Sequence, residues 1–84
     1  MYQIEYSKQA LKNLKSIPKR AVLNIFRHID DLMNDPHPHG SIKLTGSEQT
    51  YRIRVGVYRI VYDVYDTELV IKVIDIDHRK DVYR

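Results

Sequence analysis

Eighty-four residues, 43% hydrophobic and 30% charged, are enough for one small globular domain, residues 1–84, and too few for two. The absence of cysteine excludes disulfide staples, thiolate metal sites and cysteine nucleophiles, so stability must come from packing, with or without a bound partner. The net charge of +3, from 14 Lys and Arg against 11 Asp and Glu, is too small by itself to indicate a polyanionic partner.

Residues 2–6 alternate apolar and polar side chains, the period-two pattern of a half-buried strand. Ser7 is placed to cap a helix whose apolar side carries Ala10, Leu11, Leu14 and Ile17, with Lys8, Lys12 and Lys15 outward. Pro18 cannot continue that helix but can begin another, and Val22, Ile25, Phe26, Ile29, Leu32 and Met33 recur at helical spacing over residues 19–33. Residues 34–40, with Pro36, Pro38 and Gly40, form a loop. A short strand over residues 42–44 ends at a turn over residues 45–48. Residues 51–55 alternate fully, with Tyr51, Ile53 and Val55 on one face and Arg52 and Arg54 on the other. Gly56 turns the chain into a β-branched and aromatic strand over residues 57–65. A loop over residues 66–68 then leads to a last strand at residues 69–76 and a polar tail. Written β-α-α-β-β-β, this order predicts an α+β domain: a small, mostly antiparallel sheet with a two-helix hairpin on one face. The other face is open, and Arg52 and Arg54 point to it.

Charge is zoned along the chain. The first 27 residues hold Lys8, Lys12, Lys15, Lys19, Arg20 and Arg27 against Glu5 alone; from Lys43 to Tyr62, Lys43, Arg52, Arg54 and Arg59 face only Glu48. Zoning of this kind creates local positive potential, for which phosphate is a common partner. No segment approaches the ~20 apolar residues of a membrane span, and residues 1–6 do not resemble a signal peptide, so the expectation is a soluble, cytoplasmic chain with no membrane contact.

Several chemistries lack the residues they need. Gly40, Gly46 and Gly56 are scattered and form no phosphate loop. His37 and His39, two apart in a proline-rich loop, match metal-ligand spacing poorly, so no metal or other cofactor is expected; His28 is given no role. The acids show no convergent pair on one strand face, which leaves two-carboxylate chemistry unsupported. What remains is an arginine-rich sheet face. Arg52 and Arg54 are two apart, and Arg59 begins the next strand beyond the Gly56 turn. Guanidinium groups bind phosphate bidentately and stay charged, so three aimed at one spot suit a phosphodiester gaining negative charge in its transition state. Pattern alone also allows ordinary solvated or ion-paired arginines, and Asp63 shares a strand face with Arg59.

Three stretches carry a resemblance. Lys43-Leu44-Thr45-Gly46, the run Tyr51-Arg52-Ile53-Arg54-Val55-Gly56-Val57-Tyr58-Arg59-Ile60-Val61-Tyr62, and the ending Ile76-Asp77-His78-Arg79-Lys80-Asp81-Val82-Tyr83-Arg84 together resemble the RelE/ParE toxins. The opening strand and the proline-linked second helix fit the same family, so the likeness spans essentially the whole chain. It implies a type II toxin held by a cognate antitoxin. On the favoured RelE branch it implies cleavage of mRNA on the ribosome without metal or cofactor, by attack of the RNA's own 2′-hydroxyl on the adjacent phosphate. Carried over by position, Arg52 and Arg54 orient the RNA backbone and join acid–base catalysis. Arg59 stabilises the transition state, Arg79 contacts the scissile region and Tyr83 stacks on or orients a base. Lys43, Lys80 and Arg84 are further RNA-binding candidates. The chain departs from the pattern at Arg52, where ribonuclease members can carry lysine, whose pKa shifts far more readily than that of arginine. No neutral general base is then obvious on that strand. His78 could supply one, or could be a turn residue bonded to Asp77 or Asp75. The ParE branch of the family offers another function, inhibition of DNA gyrase without a nuclease site, and a degenerate member would bind only antitoxin or RNA.

Overall fold

The computed structural model describes residues 1–78, which run as β1 (Gln3–Tyr6), α1 (Lys8–Lys15), α2 (Lys19–Leu32), β2 (Ile42–Lys43), β3 (Thr50–Val55), β4 (Tyr58–Tyr65) and β5 (Val70–His78). The α+β class and the mostly antiparallel sheet match the sequence expectation. The shorthand order omits one strand, because the segment at residues 42–44 is so short; only Ile42 and Lys43 pair, with Arg52 and Tyr51.

Ser7 caps α1 as expected, its Oγ accepting a hydrogen bond from the Ala10 amide at 3.0 Å. The same hydroxyl donates to the Ile74 carbonyl at 2.6 Å, so one side chain ties the start of α1 to the last strand. Ala10, Leu14 and Ile17 pack toward the sheet, but Leu11 is half exposed. Successive helical residues are rotated by about 100°, and in so short a helix the line set by Ala10 and Leu14 leaves Leu11 on the flank. In α2, Ile25, Ile29 and Leu32 are fully covered, and the Phe26 ring meets Tyr6 edge-on at 6.0 Å. Pro18 occupies the N-cap position and offers no side-chain cap.

Strand order is β1-β5-β4-β3-β2, with β1 parallel to β5 and every other neighbour antiparallel. Both helices lie on one face, where Ile53, Val55, Ile60, Tyr62, Val64, Ile71, Val73 and Ile76 complete the core. The Tyr62 hydroxyl donates to the Pro36 carbonyl at 2.8 Å, and Tyr51 stacks between Tyr62 and His37, pinning the proline loop to the sheet margin. Val55 pairs with Tyr58 across a two-residue turn in which Gly56 has φ +60°, the left-handed backbone that favours glycine at the first turn position. Among the described residues no helix is long and apolar enough to cross a membrane.

One irregularity decides what the open face carries. Register between β4 and β5 shifts at Val61 and Tyr62: Tyr62 pairs with Val73, while Val61 pairs with Asp75, leaving Ile74 as an extra residue. Ile71 and Val73 point into the core before this bulge, and Ile76 does so after it. Strict alternation would send the Asp75 side chain inward after Ile71 and Val73; the bulge turns it, with Asp77, to the open side. The backbone there is held from α1, by the Ser7 bond to Ile74 and by the Ile76 amide donating to Asn13 Oδ1 at 3.1 Å.

Candidate functional site

Two adjacent rows cross the open face. In the first, Arg54 of β3 pairs with Arg59 of β4, which pairs with Asp77 of β5; in the second, Arg52 pairs with Val61, which pairs with Asp75. Neighbouring strands lie about 4.8 Å apart, so three guanidinium groups and two carboxyl groups flank a floor made by the small Val61 side chain. Arg52 and Arg59 are half-buried and Arg54 is exposed. The expected convergence of Arg52, Arg54 and Arg59 is therefore present. Two like charges directly opposite each other destabilise a strand pair, so the Arg54–Arg59 pairing favours a shared anion.

Arg59 does not pair with Asp63, the acid that shares its strand face in the sequence. Asp63 accepts from the Thr50 hydroxyl at 2.5 Å and from the Tyr65 hydroxyl at 3.1 Å. Arg59 instead reaches Asp77, Nη2 to Oδ2 at 3.4 Å, in an ion pair about one-third exposed, while its Nε is shielded from water with no partner among the described residues. The ion pair leaves donor capacity on the guanidinium unused.

The absence of a convergent acidic pair, inferred from sequence, is corrected by the fold. Asp75 and Asp77, two apart on β5, share one strand face by alternation, and the bulge before them makes it the open, arginine-bearing face. Burial, reinforced by a hydrogen bond and the like charge of Asp77, pushes Asp75 up to about 6, against the opposing pull of the Ile76 amide and Arg59. The sequence does carry an irregular signal: the run of Ile71, Val73, Ile74 and Ile76 breaks period two just before the acids.

His78 is the last residue of β5 and is not in a turn. It pairs with Tyr58 and meets that ring edge-on at 5.3 Å, on the side of the sheet that carries the core. Its expected role as a base on the arginine face does not fit this placement, since residues 77 and 78 point to opposite faces. Lys43, exposed on β2, lies opposite Tyr51 and so at the far margin on the helix side of the sheet, away from the arginine face. Arg79, Lys80, Tyr83 and Arg84 lie outside the described residues. His37 packs on Tyr51 at 4.6 Å, and no group of three or more His, Asp or Glu among the described residues is arranged to hold a metal. A groove of about 480 Å³ runs along the outer edge of β3, where His28, Asp31, His39 and Ile42 face Arg52 and Arg54. The two arginines are thus reached both from the open face and from the sheet edge.

Comparison with known proteins gives this arrangement its context. The family model described as the ParE toxin of the type II toxin–antitoxin system parDE matches residues 4–83. A RelE-like toxin protein of Escherichia coli is 31% identical over 98% of this chain and 90% of its own length. Toxin RelG of Mycobacterium tuberculosis is 26% identical over 99% of this chain and 97% of its own. The crystal structure of the archaeal RelE–RelB complex from Pyrococcus horikoshii OT3 matches with a TM-score of 0.83 at 34% identity, covering 93% of this chain and 94% of that one.

Proposed function

The chain belongs to the RelE/ParE toxins of type II toxin–antitoxin systems, on the RelE branch, and from that premise we propose that it is an endoribonuclease that cuts mRNA on the ribosome. The observation that carries this reading is the in-register meeting of Arg54 and Arg59, with Arg52 beside them, on a sheet face that the helices leave open. A phosphodiester seated there meets three permanent positive charges. Attack by the adjacent 2′-hydroxyl forms the O2′–P bond and breaks the P–O5′ bond, leaving a 2′,3′-cyclic phosphate and a 5′-hydroxyl. Negative charge grows on the phosphoryl oxygens during this step, and Arg59 is assigned to hold it. Arg52 and Arg54 orient the backbone, with Lys43 at the margin. Arg79, Lys80, Tyr83 and Arg84 are assigned contacts to the RNA, Tyr83 by stacking on a base. In the same reading a cognate antitoxin restrains the toxin in the cytoplasm, as RelB accompanies RelE in the related complex.

The test is a cleavage assay with purified protein, programmed ribosomes and a defined message. Cleavage should appear only with ribosomes present and yield cyclic-phosphate ends. It should persist after a chelator removes transition metals, with magnesium retained to hold the ribosome together. Loss on chelation, restored by zinc or manganese, would return His37 and His39 to consideration as ligands. The match to the ParE model favours a second reading, gyrase inhibition; an intact message together with blocked DNA supercoiling would establish it in place of the first.

A further inference from the structure

The arginine face can hold a phosphate and stabilise its charge, but arginine is a poor proton carrier near neutral pH. Cleavage by a 2′-hydroxyl needs one proton removed from O2′ and one delivered to O5′. His78 stands on the other side of the sheet. Two groups that can carry protons do stand beside the arginines, and both occur in the rows already described. Asp77 continues the Arg54–Arg59 row, and Asp75 continues the Arg52–Val61 row.

We propose that Asp75 and Asp77 are the proton-transfer residues of the cleavage site, Asp77 accepting the 2′-hydroxyl proton and Asp75 delivering one to the departing 5′-oxygen. The inference rests on the cleavage reading above and adds to it the two groups that the arginines cannot replace.

Geometry supports the assignment in three ways. The Val61 floor separates Arg52 from Asp75 by two strand spacings, about 10 Å, which leaves room for a phosphate between guanidinium and carboxyl groups. The bulge at Ile74 is what brings Asp75 to this face, and the hydrogen bonds from Ser7 and to Asn13 hold the bulged backbone in place. Asp77 also binds the guanidinium that is to meet the phosphate, at 3.4 Å, so base and charge-stabilising group are held in one orientation.

The charges around the pair divide the roles. On β4, Arg59 faces both carboxyl groups; on β5 each faces the other. The ion pair with Arg59 fixes the Asp77 carboxylate beside the phosphate-binding guanidinium, the position a proton acceptor needs. Asp75, partly buried and beside the like charge of Asp77, binds its proton more tightly than an ordinary carboxyl, which suits a proton donor. As the O2′–P bond forms, the 2′ proton passes to Asp77; as the P–O5′ bond breaks, the Asp75 proton passes to O5′. The pair begins and ends with one proton, and no other acid or base is consumed.

Substrates that differ only in the leaving atom provide the test. Single-turnover cleavage on programmed ribosomes is measured for wild type, Asp75→Asn and Asp77→Asn, with an ordinary message and with one carrying sulfur in place of the scissile 5′-oxygen. A thiolate leaves without a proton. Asp75→Asn should therefore lose about a hundredfold or more on the oxygen substrate and recover most of it on the sulfur one, whereas Asp77→Asn should be impaired on both. The wild-type rate should fall with rising pH above about 6, following loss of the Asp75 proton, and Asp75→Asn should lose that limb. Wild-type rates in both variants, or equal impairment on both substrates of an Asp75→Asn protein whose thermal melt is no lower than that of wild type, would overturn this assignment and leave the ribonuclease reading standing. Failure of wild type to cut either message would overturn both. Because a misfolded variant would lose both substrates alike, the sulfur rescue separates chemistry from folding.

Discussion

Along the row Thr50, Asp63, Lys72, Glu5, the three charged residues alternate in sign from strand to strand, and Asp63 also accepts from two hydroxyls. Four residues away along β4, the same open face sets Arg54 against Arg59 and places Asp75 beside Asp77. Both ends use polar and charged residues on the same sheet, with the same core beneath them. One end is arranged as sheet stability asks, with opposite charges across strands; the other, beside its Arg59–Asp77 ion pair, also sets Arg54 directly against Arg59. A local rule broken at one place on an otherwise consistent sheet marks the part of the molecule shaped by something other than folding. The matched end locates the unmatched one by contrast.

Substitutions can sharpen or break that contrast. The largest effect belongs to Arg59→Ala, which should reduce ribosome-dependent cleavage a hundredfold or more, about 3 kcal/mol of barrier, while ribosome binding changes far less. Growth arrest by the alanine variant at wild-type strength would refute the role of Arg59. Thermal unfolding of the same variant should move little, because a partly exposed ion pair contributes about 0–1 kcal/mol and relief from Arg54 offsets some of it.

Asp75→Asn should stabilise the protein, and only at the higher pH. The folded state raises the Asp75 pKa to about 6 from an ordinary 3.8, so folding binds its proton more tightly. The unfavourable contribution is absent below about 4, develops between about 4 and 6, and is complete above that. Denaturant melts at pH 8 should show a gain of about 1 kcal/mol, a value already discounted for solvent screening; melts at pH 4 should show little difference. Equal effects at both values would mean that Asp75 is not titrating in this window.

The smallest effects form a pair of opposite sign. Lys72→Gln, in the matched row, should cost about 0.5 kcal/mol, whereas Arg54→Gln, in the unmatched one, should add about as much stability. Equilibrium unfolding at low salt would read both, and both should shrink as salt is added. Two losses, or two gains, would dissolve the distinction between the ends.

Local pattern makes much of this legible in the sequence itself. The alternation from Tyr51 to Val55 places Arg52 and Arg54 on the open face, and the Gly56 turn brings Arg59 to meet them, because both follow from period two and a tight turn. Ser7 and the two helices follow from capping and helical spacing. What escapes a reading of the sequence depends on partners distant along the chain. Asp75 reaches the face through a bulge that exists only in register with β4 and under the hydrogen bonds of α1. His78 lies against Tyr58 because β5 continues two residues past Ile76, the end that its apolar pattern implies. Leu11 fits a helical stripe, yet in the two-turn α1 it falls on the flank of the line set by Ala10 and Leu14 and stays half exposed.

The parallel pairing of β1 with β5 has a consequence for time as well as shape. Gln3 lies opposite Val70 and Tyr6 opposite Val73, so β1 waits for β5, more than sixty residues later, before it has a neighbour. Such a contact is costly to close early, and it places completion of the sheet late in folding. β5 also carries Asp75 and Asp77 and holds Arg59 through the latter. The helices and the β3–β4 hairpin can assemble on the emerging chain while the face they support still lacks the carboxyl group that β5 adds to each of its two rows. A chain interrupted before β5 therefore contains most of the core-forming elements and none of the completed site, and the interval before β5 docks is one in which the protein is made but not yet armed.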